Sequence, residues 1–155
     1  MLRTLKDLFD SLTPEPASPS PATREHGLQL AAAVLLVEVM RSDAQIGEAE
    51  RSAVLSALRQ RFALAQDELD RLMELAEQTA RDAHDFHSFT SKINDGFDFP
   101  QKVRMIEYLW QVAYADGHLS AHENHVIRKI ADLLHVPHGA YISAKMRAKQ
   151  AAGHA

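Results

Sequence analysis

The sequence predicts an all-α fold: a compact bundle of about seven or eight helices that contains an internally duplicated helix–loop–helix. Three observations predict it. Apolar residues recur at helical spacing in segment after segment, and no stretch sustains the period-two alternation of a strand. The composition, 46% hydrophobic and 25% charged over 155 residues, is that of one ordinary globular domain with short extensions. A stretch in the first half also lines up without a gap with one in the second half.

Leu2, Leu5, Leu8, Phe9 and Leu12 place a short amphipathic helix over residues 1–12. Residues 13–22 carry Pro14, Pro16, Pro19 and Pro21 among small residues and read as a semi-extended linker. The main domain covers residues 23–150, followed by a short tail at 151–155. Its first helix, Arg24 to Ser42, is apolar nearly all round from Leu28 to Val37, which makes it the central buried helix. Gly47 to Phe62 presents Val54, Leu55 and Leu58. Gln66 to Ala80 gathers Leu69, Leu72, Met73, Leu75 and Ala76 on one face. Asp85 to Asn94 aligns Phe86, Phe89 and Ile93, and Gly96 is expected to stop it in a left-handed cap. Phe99-Pro100 opens a helix to about Ala115, with proline placed in the first turn. Ala121 to Leu134 and His138 to Lys149 complete the set, with Pro137 between them.

The duplication pairs residues 36–50 with residues 109–123. Asp43 matches Asp116, Ile46 matches Leu119, Glu50 matches Glu123, and Val54 matches Ile127. Phe62-Ala63-Leu64 resembles Leu134-His135-Val136 after a slip of one residue. Each half has an apolar face that the other can cover, which suggests two copies related by a pseudo-two-fold.

The shared loop carries an Asp and, seven residues on, a Glu. Ser120 and Glu123 form S-x-x-E, a capping box, and Gly47 and Glu50 take the same places in the first half. Gly117 suits a backbone position with positive φ. Asp43 and Asp116 fall at or just past a helix C-terminus, where a negative charge costs about 0.3–1 kcal/mol against the helix dipole. Hydrogen bonds to loop amides would offset this, and so would a bound cation. One loop alone offers too few oxygens for an EF-hand. If the loops meet, Asp43, Glu50, Asp116 and Glu123 form a four-carboxylate cluster suited to Mg²⁺, Ca²⁺ or Mn²⁺, with Zn²⁺ a poorer match to oxygen ligands. His118, His122 and His125 form an alternative metal set, since His122 and His125 share a helix face, though no H-E-x-x-H accompanies them. His84 and His87 are spaced alike. Trp110, at helical spacing with Ile106 and Ala113, reads as core.

Several function classes drop out. The chain has no cysteine, so there is no disulfide, thiolate metal site or cysteine nucleophile. No G-x-S-x-G, P-loop or dinucleotide fingerprint occurs. A net charge of -4 gives no basic field for nucleic acid. The apolar run Leu30 to Val37 is far short of the about 20 residues that span a bilayer, and Arg3, Lys6 and Asp7 interrupt any signal peptide. The expectation is a cytoplasmic chain without direct membrane insertion.

The stretch Ala113-Tyr114-Ala115-Asp116-Gly117-His118-Leu119-Ser120-Ala121-His122-Glu123 resembles the A-x-A-D-G-x-[IL]-x-x-x-E signature of the TerB-like family, and Ile127 to Leu134 continues the likeness. The first half resembles the family's first copy, with Ala44 where Gly is usual. A Cβ there resists the same turn, which weakens the first loop as a ligand site. The resemblance spans roughly Arg24 to Lys149. It implies a compact all-α fold and an association with tellurite resistance, stress responses and membrane-linked protein complexes, in a family for which no catalytic activity is established. It also implies that Asp116 and Glu123, then Asp43 and Glu50, mark a metal or partner site. The leading expectation is therefore a non-enzymatic interaction module that needs no cofactor. Its acidic loops would contact a protein partner, membrane-associated or a second copy. A divalent-cation-binding domain and a metal-dependent hydrolase are the alternatives.

Overall fold

A computed structural model of the chain describes residues 21–42, 47–83, 85–115, 117 and 119–152. Among these residues there are seven helices and no strand: α1 (Pro21–Arg41), α2 (Glu48–Arg61), α3 (Gln66–Asp82), α4 (His87–Gly96), α5 (Phe99–Tyr114), α6 (Ala121–Leu133) and α7 (His138–Ala151). The segment 1–12, the linker as far as Ser20 and the tail beyond Ala152 lie outside the described residues. α1 begins at Pro21, just inside the stretch expected as linker. Proline suits a first helical turn because its missing N–H would have no intrahelical partner there.

The fold is organised around α1. Leu30 through Val37, then Val39 and Met40, are all buried, with Ala31, Ala33, Val34, Leu35 and Val37 fully so. A helix without a polar face has to be enclosed, and α1 packs against α2, α3, α4, α5 and α6. Burying each Leu or Val side chain contributes roughly 1.5–3 kcal/mol, so this one helix supplies much of the core. α3 brings Leu69, Leu72, Met73 and Ala76 to it, on the face its periodicity predicts. Serine ends α1: the Ser42 hydroxyl donates to the Val39 carbonyl at 2.7 Å, and its amide to Glu38.

α5 is the second organising element. It packs on α1, α2, α6 and α7, and Met105, Ile106, Leu109, Trp110, Val112 and Ala113 are buried. Its start is fixed by a reciprocal box. The Asp98 carboxylate accepts from Gln101 N–H at 2.9 Å, and Gln101 Oε1 accepts from Asp98 N–H at the same distance.

Gly96 corrects one expectation. It is the last residue of α4 rather than a left-handed cap, and the cap, Phe97, is extended at φ -103. Its small size is used differently: a Cβ at this position would come within 2.9 Å of Leu28 Cδ1. Close approach of Leu28 on α1, rather than backbone freedom, favours the glycine, because any Cβ here would push the leucine side chain aside. The left-handed position occurs elsewhere, at His135 (φ 59) after α6. Val136 N–H reaches the Ala131 carbonyl at 3.0 Å and His135 N–H that of Asp132 at 3.1 Å, a Schellman ending without the usual glycine.

Candidate functional site

The direction of α6 relative to α1 determines where the two acidic loops lie. Near the start of α1, Leu28 packs on Gly96 at the end of α4. Asn94, also at that end of α4, donates to the Leu133 carbonyl at the end of α6 at 3.0 Å. Near the end of α1, Glu38 feels the charge of His122 in the first turn of α6. α6 therefore runs antiparallel to α1, so the C-terminal end of α1 and the N-terminal end of α6 lie at the same end of the bundle. The packing is reciprocal: α1 touches α6, α5 touches α2, and α1 and α5 touch each other.

Across the two aligned stretches, burial agrees closely. Leu36 and Leu109, Val37 and Trp110, Val39 and Val112, Met40 and Ala113, and Val54 and Ile127 are buried in both halves. Glu50 and Glu123 also agree, and both are 0% exposed. Each is the third residue of its helix, after the caps Gly47 and Ser120. Burying a carboxylate is costly, but the positive end of a helix and its unbonded amides favour a negative charge there. In the second half the capping box is complete. Ser120 N–H donates to Glu123 Oε1 at 3.0 Å, and Glu123 N–H donates to Ser120 Oγ at 3.1 Å. In the first half Gly47 adopts the same extended cap conformation, with no side chain to accept. Gly117 has φ 79, as its place in the turn requires, and Leu119 packs partly buried against the core.

Asp43, Asp116, His118 and His84 lie outside the described residues. Among the described residues, no three His, Asp or Glu side chains are grouped to hold a metal ion. His122, His125 and His87 are exposed. Of the four acidic candidates, then, the structure places Glu50 and Glu123, and places both inside. The residue that sequence reasoning missed is Glu38. It is half-buried, pairs with Arg41 at 3.4 Å and links the first half to His122 of the second. Burial pushes its carboxyl above the usual glutamate range, against the opposing pull of Arg41 and His122. Its signal was one acid inside the apolar stretch from Leu30 to Met40.

Beside the second loop is an open depression of about 620 Å³, lined by Gln111, Tyr114, Ala115, Gly117, Ala148, Ala151 and Ala152. Neither buried glutamate lines it. Trp110 is fully buried core, as expected, against Tyr114 and Tyr141 at centroid distances of 6.2 and 5.4 Å. Next to it, buried Glu107 accepts from Arg147 Nε at 2.5 Å and from Arg104, and so clasps α7 to α5.

Fold and site together define a class: an all-helical domain in which two helices, α2 and α6, each bury a glutamate as their third residue. The comparison with known families agrees. The family model described as tellurite resistance protein TerB matches residues 29–146, and the chain belongs to that family. No curated protein and no solved structure matches it. Among the described residues, no helix is long and apolar enough to cross a membrane.

Proposed function

We propose that this chain is a non-enzymatic interaction module of a tellurite or stress-response assembly, and that the loop end of the bundle contacts a protein partner. The observation that carries this reading is the inward burial of Glu50 and Glu123 at one end of the bundle. Those two acids act as braces under the loops, which assigns the contact itself to Asp43 and Asp116. Family membership supports the biological setting. The test is a strain lacking the gene, complemented with wild type or with Asp43→Asn/Asp116→Asn, whose fold is checked by circular dichroism. The double variant is expected to stay folded, to lose the wild type's co-purifying proteins and to fail to restore growth on tellurite. Full rescue with the same co-purifying proteins would overturn the reading.

A divalent-cation site is the second reading. It is favoured by the burial of two carboxylates at corresponding positions. The described residues alone do not supply a ligand set, and Glu123 Oε1 already accepts the Ser120 amide. The cation would therefore draw on Asp43 and Asp116. Calorimetric titration with Ca²⁺, Mg²⁺, Mn²⁺ and Zn²⁺ decides it: weak binding that Asp116→Asn leaves unchanged removes the idea.

A further inference from the structure

The described residues expose three large apolar side chains, and two of them, Ile142 (38%) and Met146 (48%), stand four apart on α7. Residues at that spacing form one ridge on a helix surface. The opposite side of α7, formed by Tyr141, Ala144 and Ala148, is buried, mainly against α5, so the ridge faces outward. α7 contains Lys145, Arg147 and Lys149 and no acidic residue. Arg128 of α6 joins them, with its guanidinium 5.9 Å from the Tyr141 ring. Two of these cations are held in place without being buried. Lys145 Nζ lies 4.9 Å over the Trp110 ring, and Arg147 keeps 53% of its side chain exposed while it pairs with Glu107. The chain as a whole is acidic, so this concentration of positive charge around an apolar ridge is local.

We propose that the outer face of α7 docks on an anionic lipid surface. Charge complementarity points to a negatively charged occupant. The shape selects the lipid: a partner helix seats its apolar face in a groove, whereas a bilayer interface accepts a convex ridge with cations on its flanks. Ile142 and Met146 enter the headgroup boundary, and Arg128 and Lys149, with the exposed part of Arg147, meet the lipid phosphates. The last turn of α7 lines the depression beside the second loop, but the lipid contact rests on the outward side of the helix and not on the function proposed for the loop end.

The test is flotation of the full chain with vesicles of phosphatidylcholine alone, or of phosphatidylcholine with one-quarter phosphatidylglycerol, in low and high salt. The expected result is at least tenfold more binding to the anionic vesicles, lost in high salt. Ile142→Ser/Met146→Ser should weaken it about tenfold, and Arg128→Glu/Lys149→Glu should abolish it; all these positions are partly or fully exposed, and circular dichroism checks their folding. In the wild type, methyl NMR signals of Ile142 and Met146 should shift on adding small anionic bicelles, a readout that needs no variant. Equal binding to both vesicle types overturns the proposal. So does loss of binding in Leu5→Ser/Leu8→Ser with no loss in the α7 variants. Methyl shifts caused by a synthetic acidic amphipathic peptide, with none from bicelles, overturn it in favour of a protein partner.

Discussion

The two helix–loop–helix units share a pattern but occupy different environments. In the first unit, α1 is enclosed on all sides, and Val34, Leu35 and Val37 are fully buried among other helices. In the second unit the aligned positions of α5 are Glu107, Tyr108 and Trp110, of which Glu107 and Trp110 face α7 through an ion pair and an aromatic contact. The caps differ as well, with Gly47 bare and Ser120 fully bonded. What stays constant is a set of buried positions: the third-residue glutamate of the second helix, and the apolar pairs Val39/Val112 before it and Val54/Ile127 after it. The two aligned stretches thus agree in which positions are buried, and differ in the residues that face their neighbours.

The largest effect should come from the aromatic contact peculiar to the second unit. Trp110→Ala is expected to cost about 3–5 kcal/mol, measured by urea denaturation followed by circular dichroism, because Trp110 is the sole tryptophan. A cost below about 1 kcal/mol would show that α7 is not packed on α5 as described. Next is the Glu107 clasp. Glu107→Ala should cost about 1–3 kcal/mol, a moderate value because both arginines stay half in water. A double-mutant cycle with Arg147→Ala should show positive coupling, and strict additivity would dissolve the pair.

The caps sharpen the comparison. Ser120→Ala should cost about 1 kcal/mol. The reverse experiment, Gly47→Ser, should add a few tenths of a kcal/mol to the first unit, and open space around the Gly47 Cβ position admits the side chain. A loss from Gly47→Ser would mean that the two caps are not equivalent. The smallest effect belongs to Glu38, whose aligned partner is Gln111. Its folded pKa is raised, so its contribution is fully present below the unfolded value and is lost as pH rises through the folded one. Glu38→Gln should therefore raise stability at pH 7 relative to wild type, and the gain should vanish near pH 4. An equal gain at both pH values would contradict a burial penalty.

Most of the fold was legible in the sequence because helical periodicity is a local signal. α1 was recognised as central from its unbroken apolar run, and the Ser120–Glu123 box from four residues. Gly96 was misread because turn chemistry and close packing both select glycine, and only the position of Leu28 tells them apart. His135 in a left-handed cap gave no signal, since glycine is the residue that marks such a position and a histidine does not. The site was legible as a pattern of Asp and Glu. That both glutamates turn inward, and that Glu38 links the halves, depends on how α6 lies against α1, a long-range fact that periodicity does not carry.

The account depends most on the starts of α2 and α6 lying at one end of the bundle. Spin labels at Ala49→Cys and His122→Cys test this in a chain with no other cysteine, because both positions are exposed in the first turns after the loops. Pulsed electron resonance should give a single distance within about two helix diameters, roughly 20–24 Å. A distance at or beyond the length of α1, about 32 Å for its 21 residues, would place those two starts at opposite ends and contradict the account.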